Sequence, residues 1–208
     1  MRREDFFISK ILFIMIFGSI FAFFTEDWRS MYLIQLLLLV SIGDFILRDG
    51  SVLILKLVIF GLLAGFVELL ADYVLVEKFQ TLVYLSSDPR ILSSPIYMPF
   101  AWMEVILTHG YIILRLRERF SEKVSAFLGA LTAGLTIGFY ETIAYHAQWW
   151  MYLKASFFVL NTPLFIPLGE FLIFLGFLFW WRRRFGEFFF GLSIALWYSF
   201  AWYFLSLF

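Results

Sequence analysis

The fold of the chain is decided by runs such as VLILKLVIFGLLAGFVELLAD, which extends from Val52 to Asp72. A run of this length can cross the roughly 30 Å hydrocarbon core of a bilayer as one α-helix. Similar runs fill most of the 208 residues, which are 62% hydrophobic and only 15% charged. A water-soluble domain of this size cannot bury so much apolar surface. The composition therefore predicts a polytopic membrane protein.

Seven apolar runs separated by short polar connections predict an all-α membrane helix bundle of about seven transmembrane helices. The predicted spans are residues 7–24, 31–47, 52–76, 95–116, 123–150, 163–181 and 187–207. Because the connections are short, we expect residues 1–208 to form a single transmembrane domain. Most of the 16 Lys and Arg residues fall on the side of the N-terminus, and the other side holds only Arg29, Lys78, Arg90 and Lys154. The positive-inside rule then predicts a multi-pass protein with a cytoplasmic N-terminus, in the inner membrane if the protein is bacterial.

The third and fifth spans share a motif. Residues 61–68 read GLLAGFVE and residues 134–141 read GLTIGFYE, so both follow G-L-x-x-G-F-x-E. Downstream, residues 94–99 read SPIYMP and residues 162–167 read TPLFIP. Two matches in the same order predict an internal repeat of a helix pair, with units at about 52–116 and about 123–181. Both units begin on the same side, so we expect parallel repeats around a shared cavity.

Acidic residues lie on the predicted packing side of these helices. At about 100° per residue, Glu68 and Asp72 share a stripe with the two glycines of their motif, where helices can approach closely. Glu141 shares a stripe with its own two glycines, and Glu170 shares one with two prolines. An ionisable group at this depth is expensive to bury and is a functional-site hypothesis by default. The alternative is that these carboxyl groups only form hydrogen bonds between helices.

Two sets of residues follow as candidates. The candidate catalytic residues are Glu68, Asp72, Glu141, His146 and Glu170, and the candidate substrate-binding residues are Tyr73, Tyr97, Trp102 and Tyr145. Glu104 and His109 are further intramembrane candidates, although a histidine near a helix end is often only interfacial. The pairs Trp149-Trp150 and Trp180-Trp181 are predicted to belong to an interfacial aromatic belt.

Several kinds of chemistry are disfavoured by what the sequence lacks. It has no cysteine, no Walker A loop, no paired-aspartate motif for diphosphates, no H-E-x-x-H, no G-x-S-x-G and no histidine-rich box. The basic residues form no continuous face, so nucleic-acid binding is not expected. A metal site of mixed carboxylate and histidine ligands matches no defined spacing, and none is predicted.

After these exclusions, the chemistry that the sequence favours is that of carboxyl groups in an apolar enclosure. A carboxylic acid that is shielded from water tends to stay protonated and can transfer its proton to an alkene, while aromatic faces stabilise the resulting cation. The hydration or cyclisation of an isoprenoid by this route needs no cofactor beyond water. The expected partners are a hydrophobic lipid or isoprenoid substrate and the bilayer itself.

One stretch resembles a known family. Glu68-Leu-Leu-Ala-Asp72, continuing to Ser94-Pro-Ile-Tyr-Met-Pro-Phe-Ala-Trp102, is similar to the carotenoid-biosynthesis membrane proteins that include carotenoid 1,2-hydratases. These pair an intramembrane glutamate with a later proline-containing helix start that leads to a tryptophan. The resemblance implies a membrane hydratase or cyclase in which Glu68 and Glu141 act as acid and base. A small proton- or ion-coupled transporter is the main alternative, because repeats with midplane carboxylates also serve alternating access. A purely structural membrane subunit is a third.

Overall fold

The computed structural model describes residues 2–85, 88–153 and 157–205, with side chains up to residue 201. Lys154, one of the cations behind the predicted orientation, lies outside these residues. Within them the chain forms eight α-helices: α1 (Arg3–Thr25), α2 (Ser30–Asp49), α3 (Val52–Tyr73), α4 (Met98–Leu116), α5 (Glu122–His146), α6 (Phe165–Leu175), α7 (Phe177–Trp181) and α8 (Gly186–Leu205). Six short strands occupy the connections: β1 (Leu82–Tyr84), β2 (Arg90–Ile91), β3 (Ser94–Pro95), β4 (Trp150–Tyr152), β5 (Phe158–Val159) and β6 (Thr162–Pro163).

The predicted membrane character is supported by four helices in the described part of the chain that are long and apolar enough to cross a bilayer. They are α1, α2, α5 and the continuous segment Val52–Lys78, in which a five-residue π-helix, Val74–Lys78, extends α3. The predicted span 163–181 is divided at Gly176 into α6 and α7. The predicted span 123–150 ends at His146, because Gln148 adopts a left-handed conformation (φ 58°) that turns the chain into β4.

Glycines bring α3 against α4, and α5 against α6. A Cβ on Gly65 would lie 2.6 Å from the carbonyl oxygen of Pro99 in α4, and one on Gly134 would lie 2.7 Å from that of Pro167 in α6. These distances are too short for any side chain, so the two helix pairs approach to backbone contact. The predicted packing side is thereby confirmed, and Glu68 and Asp72 are only 2% and 3% exposed on it.

The strands form a small layer where α3 and α5 end and α4 and α6 begin. β1 pairs antiparallel with β4, with Val83 opposite Met151 at the centre. β2 and β3 form one hairpin before α4, and β5 and β6 form a similar hairpin before α6. The tips of these hairpins contain Leu92 (φ 55°) and Leu160 (φ 56°), both in the left-handed conformation. This layer lies at one end of the helix bundle, and Tyr84, Trp150 and Tyr152 from it line the cavity described below.

Candidate functional site

Four of the predicted catalytic residues line one interior cavity of about 60 Å³. Glu68 and Asp72 come from α3, Glu141 comes from α5, and Glu170 comes from α6. Trp102 of α4, a predicted substrate-binding residue, also lines it. The remaining polar lining consists of aromatic side chains: Tyr84, Tyr140, Trp150, Tyr152 and Tyr198. The sequence therefore placed the acids correctly in a common interior, and the structure surrounds them with phenol and indole groups.

Glu68 and Asp72 form a carboxyl pair one helical turn apart. The Tyr84 hydroxyl donates a hydrogen bond to Oδ2 of Asp72, and Glu68 lies one turn earlier in α3, in the lining of the same cavity. Two neighbouring carboxyl groups that are shielded from water do not both stay charged, so one of them keeps a proton. Because Asp72 already accepts from Tyr84, Glu68 is the group expected to hold the proton.

Glu141 and Glu170 each accept a hydrogen bond from an aromatic donor. Nε1 of Trp150 donates to Oε2 of Glu141 at 2.6 Å, and the Tyr198 hydroxyl donates to Oε1 of Glu170. These bonds hold the two carboxyl groups in fixed positions. Among the described residues, Oε2 of Glu68 and Oε2 of Glu170 are buried without a hydrogen-bond partner. A buried polar atom without a partner is costly, so both oxygens are available to water, to a ligand or to a transferable proton.

The strand layer supplies three of the aromatic side chains that line the cavity, Tyr84, Trp150 and Tyr152. The register of β1 and β4 places Tyr84 opposite Trp150, with their ring centroids 6.2 Å apart in an edge arrangement. Tyr84 and Tyr152 lie on the strands, and burial raises the pKa of each hydroxyl well above the ordinary value for tyrosine. Both hydroxyls therefore remain protonated donors at any physiological pH.

Four predicted site residues lie outside the cavity. His146 ends α5 with its ring 4.7 Å from that of Phe23 and its Nε2 3.3 Å from Nδ2 of Asn161. Tyr73 and Tyr145 are 37% and 42% exposed and do not line the cavity. Tyr97 is buried just before α4, but its ring packs against another tyrosine, Tyr32, at 5.4 Å. None of these four side chains belongs to the lining of the cavity.

Two further intramembrane candidates connect helices instead of lining the cavity. Nε2 of Gln35 in α2 donates to Oε2 of Glu104 in α4 at 3.0 Å. The ring of His109 in α4 lies 2.9 Å from the Val105 carbonyl oxygen and 2.8 Å from Oγ1 of Thr136 in α5. Both His109 nitrogens therefore have partners, which fits a structural link between α4 and α5.

The prediction that Trp149 and Trp150 belong to an interfacial belt is wrong. They are 0% and 5% exposed, because β4 turns back into the bundle where a continued helix would have carried them outward. Nε1 of Trp149 donates to Oγ of Ser30 in α2 at 3.1 Å, and Trp150 reaches Glu141.

The tyrosines of the cavity were missed, although the sequence contains a signal for two of them. Residues 80–85 read QTLVYL and residues 148–153 read QWWMYL, so Tyr84 and Tyr152 occupy the same place in a third shared motif. Gln80 (φ 54°) and Gln148 (φ 58°) begin both segments in the left-handed conformation. Tyr198, in the middle of an apolar helix, carries no comparable pattern.

Comparison with known proteins places the chain in a family. The profile of the family described as Domain of unknown function (DUF6989) matches residues 69–208. The chain belongs to this family. The matched part includes Asp72, Glu141, Glu170 and Tyr198, and it begins one residue after Glu68. No curated protein and no solved structure matches the chain significantly. The resemblance to carotenoid-biosynthesis proteins remains a prediction.

Within the described residues, no group of three or more His, Cys, Asp and Glu side chains is arranged to hold a metal ion. Of the four acids of the cavity, Asp72, Glu141 and Glu170 are held instead by tyrosine and tryptophan donors.

Proposed function

We propose that the chain is an integral membrane enzyme that acts on a hydrophobic isoprenoid or lipid by carboxylic acid and carboxylate chemistry. The observation that carries this proposal is the unpartnered Oε2 of Glu68 in a cavity that also contains indole rings. An acid in such a place can donate a proton to an alkene, and the electron-rich faces of Trp102 and Trp150 stabilise the positive charge that follows.

The proposed reaction is hydration or cyclisation of an isoprenoid end group. The proton of Glu68 adds to one alkene carbon, and its neighbour becomes a carbocation. In hydration, water attacks that cation and Glu141 accepts the proton that water loses. In cyclisation, a second alkene attacks and Glu141 removes a proton from the product cation. Asp72, held by Tyr84, stays charged beside Glu68 and so favours the protonated form of Glu68 until the alkene binds.

The size of the cavity sets a condition for this proposal. A buried water molecule needs about 10–15 Å³ of cavity volume. The cavity of about 60 Å³ therefore holds a few water molecules. Water for hydration therefore fits as the side chains stand. An isoprenoid end group enters only if side chains of the lining move aside, and Trp102, which is half-buried, is the residue proposed to do so.

We also propose that seven spans cross the membrane, with α6 and α7 forming one interrupted span, and that two parallel units are related by duplication. Three shared motifs support the duplication, as do the two hairpins of the same register and the antiparallel pairing of β1 with β4. The shared motifs at 61–68 and 134–141 are separated by 73 positions, whereas the later ones are separated by 68. The first unit thus has five more residues at the end of its long helix, and Val74–Lys78 is a π-helix of that length. π-Helical turns are often found at functional sites.

The test is product analysis in cells that supply isoprenoid precursors. Organic extracts of cells that express the wild type, Glu68→Gln, Glu141→Gln or Tyr73→Phe would be compared by mass spectrometry. We expect a hydrated or cyclised isoprenoid with the wild type and with Tyr73→Phe, whose ring lies outside the cavity, and unprocessed precursor with both glutamine variants. Identical isoprenoid profiles from all four proteins and from cells without the protein would refute the enzyme proposal.

The small volume of the cavity specifically favours the second candidate, a proton- or ion-coupled carrier. A cavity that holds water and four acids is suited to moving protons even if no lipid enters it. The distinguishing experiment places the purified protein in liposomes with an interior pH dye and an imposed potential. Proton uptake by the wild type that is lost in Glu68→Gln would support the carrier. If the folded wild type takes up no protons, the carrier proposal is refuted.

A further inference from the structure

A second and larger cavity, of about 420 Å³, lies at the opposite end of the bundle from the strand layer. It is a crevice between the start of α1 and the end of α2. Its basic lining residues are Arg2, Arg3 and Lys10, and its acidic ones are Asp44 and Asp49. None of these residues takes part in the acid-lined cavity, so any ligand of this crevice is independent of the proposed function.

The charges of the crevice leave one cation without a partner. Arg3 forms an ion pair with Asp49 at 3.1 Å, and Arg48 forms one with Asp44 at 2.5 Å. Arg2 forms an ion pair with Glu118, which follows α4, at 2.8 Å. Lys10, by contrast, forms no ion pair with any residue that the structure describes. The crevice therefore offers one unneutralised positive charge, which matches the single negative charge of a phosphodiester.

Along α1, the neighbours of Lys10 on its own stripe are exposed aromatic side chains. Phe6, Phe13 and Phe17 lie on the same stripe of α1 as Lys10, at about 100° per residue, and each is more than half exposed. Phe7 and Phe45 stack at 4.1 Å to form the wall between α1 and α2. Lys10 is thus a cation set about one turn into a lipid-facing aromatic stripe.

We propose that this crevice binds a phospholipid of the adjacent leaflet. The phosphate lies against Lys10 at the crevice, with Arg3 at its mouth, and an acyl chain follows Phe13 and Phe17 along α1. Basic pockets between helices at the membrane surface are known to take lipid headgroups, and a charge-assisted hydrogen bond from an ammonium group to phosphate is a strong contact. The continuity of the cation with an apolar stripe selects a lipid over a free phosphate as the occupant.

The experiment is a titration of the purified protein, in an uncharged detergent, with phosphatidylglycerol, followed by native mass spectrometry. The variant Lys10→Met keeps the apolar stem and removes the charge, and Lys10→Arg keeps the charge. The matched control is Lys56→Met, which removes an exposed lysine near the start of α3 at the same end of the bundle. Thermal unfolding without added lipid checks that each variant is folded.

We expect Lys10→Met to bind phosphatidylglycerol about fivefold more weakly than wild type, the loss typical of one lysine at a membrane surface. Lys10→Arg and Lys56→Met should bind as wild type does. Diacylglycerol, which lacks the phosphate, and glycerol phosphate, which lacks the chains, should both bind more weakly than phosphatidylglycerol. Equal affinity of wild type and Lys10→Met would overturn the site. Tight binding of glycerol phosphate would assign the crevice to a free phosphate and overturn the lipid.

Discussion

Replacing Gly65 by alanine tests the contact that positions the acids. The added Cβ would lie 2.6 Å from the Pro99 carbonyl oxygen, whereas ordinary contact begins at 3.4 Å, so the backbones of α3 and α4 must separate by roughly 0.8 Å. Overpacking of this kind usually costs about 1–3 kcal/mol. The matched control is Gly43→Ala in α2, where a Cβ would meet nothing within 4 Å. Both variants gain the same helix propensity, so the difference between them isolates the clash.

Thermal unfolding in detergent, followed by circular dichroism, measures that difference. For a chain of this length, 1 kcal/mol shifts the midpoint by about 2–4 °C. Gly65→Ala should therefore unfold about 2–12 °C below Gly43→Ala. If the two variants unfold at the same temperature, the close approach of α3 and α4 is not as described, and the placement of Glu68 and Asp72 beside α4 loses its support.

Two other predictions concern the tyrosines of the cavity. Tyr198→Phe leaves a buried Glu170 oxygen without its donor, so it should lower the free energy of unfolding by about 1–3 kcal/mol, whereas the exposed Tyr73→Phe should change it little. Thermal unfolding that shows equal stability of both variants would contradict the bond. Because burial raises the pKa of Tyr84 and of Tyr152, the folded protein should ionise fewer of its ten tyrosines at pH 11 than the denatured protein. The stability that these two tyrosines contribute is fully present below about pH 10 and declines as the pH rises above it. An ultraviolet titration in which the folded and the denatured protein ionise equally would refute the raised pKa values.

The sequence predicted the membrane character and the burial of the acids for the same physical reason. Long apolar runs must be helices in a bilayer, because each helix satisfies its own backbone groups. On such a helix, glycines four residues apart identify the side that packs against protein, and this located Glu68 and Glu141. These features depend only on neighbours within a few turns.

The strand layer could not be predicted in the same way. β1 and β4 contain three residues each and lie far apart in the chain, so no local periodicity identifies them. Their pairing brings Tyr84 and Trp150 to the acids and withdraws Trp149 from the interface. Gln148 adopts a left-handed conformation that ends α5 early. Glutamine, unlike glycine, does not indicate such a conformation in a sequence. Only the match between residues 80–85 and 148–153 offers a clue, and its meaning depends on knowing that the segments pair.

The proposed function requires that Glu68 holds a proton in the interior of the bundle. Infrared spectroscopy measures this directly, because a protonated carboxylic acid and a carboxylate have separate stretching bands. The spectrum of the wild type minus that of Glu68→Gln should contain the band of a protonated acid, and the same subtraction for Glu26→Gln, an exposed glutamate, is the control. A carboxylate band in the Glu68 difference would refute the role of Glu68 as proton donor, since Glu68 would then have no proton to donate.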